Sequence, residues 1–158
     1  MKQIVGLVAS LLITFLAAAL GSMATRRAPE FYGTLSRPDW APPSSVFSPV
    51  WMALYTLMVI AAWLVWKERG IADARVPLGL FAIQLVLNAL WSWLFFAWQK
   101  GALAAIEIVL LLIFIVLTTI AFWRVRPLAG ALLLPYLAWV LYATALTFAL
   151  VRHNPNVL

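Results

Sequence analysis

Apolar residues form five long runs that are separated by short segments carrying the charges. Four runs contain no charged residue at all, and the fifth contains only Glu107; they are 3–25, 40–66, 76–99, 127–151 and 101–123. Each run exceeds the roughly 20 apolar residues with which an α-helix crosses the hydrocarbon of a bilayer. The pattern therefore predicts an all-α integral membrane bundle in one domain. Its five transmembrane helices are expected at about 3–25, 47–66, 77–98, 101–123 and 127–151.

The first run admits a second interpretation, a secretory signal peptide, because Lys2 precedes it and small residues follow it around 21–24. The apolar core of a signal peptide is about 7 to 15 residues long, and this run is longer. We therefore expect it to remain as the first transmembrane helix.

One connection is much longer than the other three. Pro42, Pro43 and Pro49 are tolerated only before or within a first helical turn, so the second helix should begin near Phe47. This makes 26–46 a long loop, which contains several aromatic side chains. The loop could fold over an opening of the bundle as a cap, or lie at headgroup level with its aromatic rings as anchors, and the pattern leaves both alternatives open.

Composition excludes most soluble functions. Hydrophobic residues make up 66% of the chain and charged residues 10%, and the mean hydropathy is +1.02. A net charge of +6 would suggest nucleic acid in a soluble protein, but these cations flank apolar runs, where they meet lipid headgroups. We expect membrane lipid and no nucleic acid as partner. With no cysteine, and with His153 as the single histidine, neither a metal site nor a cysteine nucleophile is predicted.

Two amide side chains fall at membrane depth in the third helix. Gln84 and Asn88 must face protein or water, because an unpaired amide in hydrocarbon costs a few kcal/mol. A helical period of 3.6 residues places them on one face together with Trp91. The same period aligns aromatic and small residues on the neighbouring helices, namely Trp51 with Tyr55 and Trp139 with Ala143. These faces converge either on a ligand pocket or on a core in which the amides only join helices.

Glu107 is an acid within a transmembrane run, which makes it a functional candidate by default. A proton relay, a contact between subunits and a protonated bystander are all compatible with it, so we assign it no role. The chain has no carboxylate pair, no Ser/His arrangement and no phosphate-binding glycine loop. An enzyme on this chain would have to take its chemistry from its ligand.

Four motifs occur in order across nearly the whole chain: PDWAPP at 38–43, FSPVWMALY at 47–55, QLVLNALWS at 84–92 followed by Phe95 and Phe96, and PYLAW at 135–139. Together they resemble the TspO/MBR family. This family comprises the tryptophan-rich sensory proteins of bacteria and the mitochondrial translocator protein, once called the peripheral benzodiazepine receptor.

The resemblance implies a five-helix bundle, commonly a homodimer, in a bacterial cell membrane. It also implies a pocket under the first loop for porphyrins, heme-like tetrapyrroles and drug-like hydrophobic molecules. Carried over to the matching positions, this pocket is lined by Tyr32, Trp51, Asn88, Trp139 and Ala143. No cofactor is expected besides the tetrapyrrole as ligand.

The resemblance leaves three functions open: a membrane sensor that binds the tetrapyrrole, an enzyme that degrades porphyrin in light with Trp51 and Trp139 as redox partners, and a transporter of porphyrin or sterol. We favour the sensor, and no catalytic residue is assigned. Five spans do not divide into two equal repeats, which counts against a transporter. The full predicted set of ligand-binding residues is Tyr32, Trp51, Tyr55, Gln84, Asn88, Trp91, Trp139 and Ala143.

One position departs from the animal members of the family. Their sterol motif at the end of the fifth helix needs a tyrosine before a basic residue, and this chain has Phe148 at that place and Thr147 where asparagine is usual. Such motifs are weak even when complete. Sterol is therefore a doubtful ligand, whereas the tetrapyrrole expectation depends on other positions.

Overall fold

The computed structural model describes residues 1–158 as a bundle of helices without a β-strand. The α-helices are α1 (Lys2–Ala24), α2 (Ala28–Thr34), α3 (Phe47–Asp73), α4 (Arg75–Ser92), α5 (Gly101–Val125) and α6 (Pro127–His153). A 3₁₀ turn (Ser44–Val46) precedes α3, and a π-helical turn (Trp93–Ala97) continues α4. Five of these segments are long and apolar enough to cross a membrane. The predicted fold class, an all-α bundle of five membrane spans, is confirmed.

When the π-helical turn is counted with α4, the helix ends lie within two residues of the expected ones, with one exception. Helix α3 was expected to end near 66 and continues to Asp73. Near that end, Gly70 has a φ of 71° and a ψ of 176°, a conformation that only glycine adopts without strain. The short segment beyond Gly70 therefore changes direction before α4 begins.

Helix α1 is fastened to its neighbours at both ends through backbone carbonyls. The indole N–H of Trp63 donates to the carbonyl of Gln3 at 3.1 Å, and that of Trp93 donates to the carbonyl of Leu20 at 3.0 Å. Between these points, Gly6 lies directly against the indole of Trp66, where a Cβ atom would overlap the ring. The small residue thus allows α1 to approach α3 closely.

The main core lies between α3, α4, α5 and α6. Toward the end of the bundle that holds the starts of α4 and α6, the rings of Phe81 and Phe122 stack with their centroids 5.6 Å apart. A Cβ atom on Gly130 would lie 2.8 Å from the backbone of Trp123, so α5 and α6 are in close contact there. This end of the molecule is closely filled.

The connection 26–46, which we call the lid, is folded. It contains the short helix α2 and the 3₁₀ turn, elements that the sequence pattern did not predict. Tyr32 is only 1% exposed, and it forms a small apolar cluster with Leu35, Phe95 and residues of α6. Of the two alternatives left open by the sequence, the structure therefore has the cap. Trp40 is the exception among the lid aromatics, since it is 49% exposed.

Candidate functional site

A cavity of about 520 Å³ lies between the lid and the adjoining halves of α1, α3, α4 and α6. Its lining is mainly hydrophobic and aromatic, with a few polar side chains. The cavity exists because the helices that surround it contribute small residues at this depth, including Ala18 and Gly21 of α1 and Ala143 of α6.

Seven of the eight residues expected from the sequence line this cavity: Tyr32, Trp51, Tyr55, Asn88, Trp91, Trp139 and Ala143. They come from the lid and from three different transmembrane helices. The eighth, Gln84, does not line it. Gln84 is 1% exposed and lies one helical turn deeper, inside the bundle.

A chain of hydrogen bonds borders the deep side of the cavity. The hydroxyl of Tyr55 donates to Asn88 Oδ1 at 2.9 Å, and Asn88 Nδ2 donates to the hydroxyl oxygen of Tyr136 at 2.7 Å. The Tyr136 hydroxyl then donates to Gln84 Oε1 at 2.8 Å. The chain joins α3, α4 and α6. Asn88 therefore does both things that the sequence left open: it ties helices together and it faces the cavity.

Tyr136 is the link between the two amides, and the sequence analysis did not assign it to the site. It is 1% exposed and does not itself line the cavity. A signal was present, because Tyr136 lies three residues before Trp139 and so shares a face of α6 with it. A buried hydroxyl on that face needs a partner, and Gln84 supplies one.

Each indole of the cavity wall is held by another aromatic ring. Trp51 lies 5.7 Å from Tyr55, measured between ring centroids, and Trp139 lies 5.7 Å from Tyr142. Trp91 stacks almost parallel on Phe95, at 5.3 Å and 15°. Such pairs contribute about 0.5–1.5 kcal/mol beyond their buried area. The walls are therefore positioned by contacts within the protein and do not depend on a ligand.

Several cavity residues were missed by the sequence analysis. Phe15 and Ser22 of α1, Phe47 at the start of α3 and Tyr142 of α6 all line it. Helix α1 carries no stripe of aromatic or amide groups, so periodicity gave no reason to assign its residues to a site. Tyr142 had a signal, since it is adjacent to Ala143 in a sequence rich in aromatic residues.

Two tyrosine hydroxyls donate to backbone carbonyls of the lid, one from within the lid and one from α6. The hydroxyl of Tyr32 donates to the carbonyl of Pro42 at 2.8 Å, and that of Tyr142 donates to the carbonyl of Trp40 at 2.8 Å. The guanidinium of Arg37 lies 4.9 Å from the centre of the Tyr32 ring. Burial raises the pKa of Tyr32 above its ordinary value of 10.0, although Arg37 acts in the opposite direction. Tyr32 thus remains a hydrogen-bond donor at neutral pH.

No Asp, Glu or His side chain lines the cavity. No group of three or more His, Cys, Asp or Glu side chains lies close enough together to hold a metal ion. Glu107 is 7% exposed, neither of its carboxyl oxygens has a hydrogen-bond partner, and it does not line the cavity. The site offers aromatic surfaces and a few polar groups, which suit binding better than acid–base chemistry.

Comparison with known proteins decides the family. The model of the TspO/MBR family matches residues 9–152. The chain belongs to the TspO/MBR family. The resemblance seen in the four motifs is thereby confirmed, and this TspO/MBR chain is an integral membrane protein.

Relatives of this TspO/MBR protein occur in bacteria and in animals. The chain is 42% identical to the tryptophan-rich protein TspO of Chlorobaculum tepidum, over 98% of this chain and 99% of that protein. It is 41% identical to the human translocator protein, over 79% of this chain and 75% of that protein. It is 38% identical to the tryptophan-rich sensory protein of Cereibacter sphaeroides, over 93% of both chains.

Proposed function

We propose that this TspO/MBR protein binds a tetrapyrrole, such as a porphyrin, in the cavity under the lid and serves as a membrane sensor of that ligand. The observation that carries the proposal is the cavity of about 520 Å³ under the lid, with its hydrophobic and aromatic lining. Small-molecule sites have volumes of about 300–1,000 Å³ and combine apolar walls with a few polar groups that fix orientation. This cavity has both properties.

The chemistry of the walls favours a flat, largely apolar ligand. Trp51 and Trp139 present indole surfaces from two different helices, and each is already held by a tyrosine. Flat conjugated rings gain from offset or edge contacts with such surfaces. The amide of Asn88 and the hydroxyl of Tyr55 supply the polar groups at the deep end. A porphyrin offers flat apolar faces to these indoles, and polar groups on one edge of the macrocycle can meet the amide and the hydroxyl at the deep end.

Titration of the purified protein in detergent with protoporphyrin IX tests the proposal. We expect saturable quenching of tryptophan fluorescence. Trp51→Leu removes an indole wall and should weaken the affinity by about tenfold or more, equal to 1.4 kcal/mol. Trp98→Leu is the matched control, because Trp98 is exposed and lies outside the cavity. Absence of saturation in the wild type, or equal affinities of wild type and Trp51→Leu, would contradict the proposal.

A second candidate is degradation of the bound porphyrin in light. It is favoured by the two indole–phenol pairs in the cavity wall, Trp51 with Tyr55 and Trp139 with Tyr142, since both ring types can act as electron donors. Illumination of the porphyrin-loaded protein in air should then give a new absorbing product that is absent in the dark. Loss of this product in Trp139→Phe with retained binding would support the enzyme, and an equal rate in free tryptophan solution would exclude it.

A further inference from the structure

Asn154 follows the last turn of α6 and is 8% exposed, although it lies in the polar C-terminal segment of the chain. Its side chain reaches across to the lid. Asn154 Oδ1 accepts a hydrogen bond from the backbone N–H of Ser36 at 2.8 Å, and Asn154 Nδ2 donates to the backbone carbonyl of Ser36 at 2.9 Å. The same Nδ2 donates to the carbonyl of Leu150 at 2.8 Å. The amide therefore makes three bonds at once.

The two bonds to Ser36 occupy both backbone polar groups of one residue. A carboxamide that pairs with an N–H and a C=O in this way fixes the position and the direction of the backbone, as a strand partner does. Leu35, the preceding residue, is buried in the apolar cluster under the lid. The pair thus holds the lid at the point where its apolar anchor enters the bundle.

The remaining hydrogen bonds of the lid show why this point matters. Tyr32 donates to Pro42 within the lid itself, so that bond moves with the lid. The side-chain hydrogen bonds from the transmembrane helices to the lid come from Tyr142 and from Asn154 at the end of α6. Opening of the lid must break these bonds and withdraw Leu35, whereas the helices can stay in place.

The C-terminal residues hold Asn154 in position. The backbone carbonyl of Asn154 accepts hydrogen bonds from the N–H groups of Val157 and Leu158, at 3.1 and 3.0 Å. Leu158 packs against Gly101 at the start of α5, where no side chain intervenes. The tail thus folds back on the bundle, and these contacts fix the position of Asn154 independently of its bonds to the lid.

We propose that Asn154 is the latch of the lid, a positioning residue that sets the rate at which the lid opens and the ligand exchanges. The part concerning ligand exchange rests on the proposed function, whereas the latch itself can be tested without ligand. Breaking the latch should raise the opening rate and leave the cavity unchanged, because Asn154 does not line it. Entry and exit of ligand should therefore become faster together.

Hydrogen–deuterium exchange on the ligand-free protein tests the latch. In Asn154→Ala, amides of the lid segment around Leu35 and Ser36 should exchange about tenfold faster, while amides of the core around Met58 stay protected. Ser36→Ala is the matched control and should behave as the wild type, because Asn154 bonds the backbone of Ser36 and not its hydroxyl. Unchanged lid exchange in Asn154→Ala would overturn the proposal.

A second variant protects the test against misfolding. Asn154→Asp keeps the acceptor for the Ser36 N–H but replaces the donor by an oxygen that faces the carbonyls of Ser36 and Leu150, so its lid exchange should be at least as fast as that of Asn154→Ala. Faster exchange throughout the core in both variants would show that Asn154 supports the whole fold, and the latch would then be wrong.

Stopped-flow mixing with protoporphyrin IX tests the consequence for ligand exchange. The association and dissociation rate constants of Asn154→Ala should both rise about fivefold or more, with Kd changed by less than about threefold. A wall residue such as Trp51 changes Kd instead. Accelerated lid exchange with unchanged rate constants would mean that ligand passes between helices, which overturns the role of the latch in exchange. If the wild type does not bind protoporphyrin at all, the proposed function fails while the exchange result still decides the latch.

Discussion

The two ends of the bundle use the same kinds of residue with opposite results. At the end away from the lid, Gly130 and Trp123 touch through their backbones, and Phe81 stacks on Phe122. At the lid end, Ala143 also faces aromatic rings, but a cavity lies between them. A small residue opposite an aromatic one therefore allows close packing at one end of the bundle and leaves a cavity at the other. The difference lies in what else holds the ring.

At the lid end the rings are restrained from collapsing inward. Trp51 contacts both Tyr55 and Tyr136, and these tyrosines are fixed through the amide of Asn88. Moving Trp51 into the cavity would break these contacts and place a hydrogen-bonded network under strain. Protein interiors normally fill to the density of an organic crystal. Together with the small residues of the lining, the polar chain maintains an exception to this rule here.

Gly130→Ala should break the filled end and have the largest effect on stability. The added methyl group would meet the backbone of Trp123 at 2.8 Å, which a side-chain rotation cannot relieve. We expect a loss of about 1–3 kcal/mol or more, measured as a lower Tm in detergent. Gly79→Ala is the control, since nothing lies within 4 Å of its Cβ position in α4. That variant should gain about 0.5–1 kcal/mol, and equal Tm values for the two variants would contradict the packing described.

Ala143→Leu should fill part of the cavity, and it should weaken ligand binding without lowering the stability of the protein. The larger side chain enters existing space, so we expect a free energy of unfolding within about 1 kcal/mol of the wild type or above it, followed by Tm in detergent. Protoporphyrin affinity should fall by about tenfold or more because the ligand and the new side chain compete for the same volume. Ala138→Leu is the matched control on the outer face of α6 and should retain binding. Retained binding in Ala143→Leu would show that the ligand lies elsewhere.

The hydrophobic pattern predicts the spans because charges in a bilayer are expensive, and the gaps between charges mark where helices cross. The pattern predicts the face of the helix on which a side chain lies better than its depth in the membrane. Gln84 and Asn88 share a face, yet only Asn88 lines the cavity. The helical period shows which face a residue is on, but not the depth in the membrane at which the helices separate. Both amides were therefore expected in the cavity, and one lies below it.

The lid shows the second limit of the sequence. Helix α2 has seven residues, too few to be stable alone in water. It forms because Tyr32 and Phe31 pack on rings of the π-helical turn and α3, such as Phe95 and Phe47. No local pattern contains those contacts. The contact of Asn154 could not be predicted either, since nothing in the local sequence of a polar tail indicates a partner that lies 118 positions away.

Tyr32→Phe should have a small effect on the lid and none on the wall residues of the cavity. The variant keeps the buried ring and loses one hydrogen bond, to the carbonyl of Pro42. Such a bond contributes about 0.5–1.5 kcal/mol. It joins two parts of the lid, so its loss should weaken the folded shape of the lid, and we expect protoporphyrin to dissociate roughly two- to tenfold faster. Stopped-flow displacement measures this rate, and an unchanged rate would show that the bond within the lid has no effect on ligand release.

The pH dependence of the same rate follows from the direction of the Tyr32 pKa. Burial raises this pKa in the folded protein above the ordinary value of 10.0. A raised pKa means that the fold favours the protonated hydroxyl. Its contribution is therefore complete below the unfolded pKa and is lost only as the pH rises through the higher folded one. The ratio of the Tyr32→Phe and wild-type dissociation rates should be constant between about pH 6 and 9, and a ratio that falls within this range would mean that the hydroxyl ionises there and does not hold the lid.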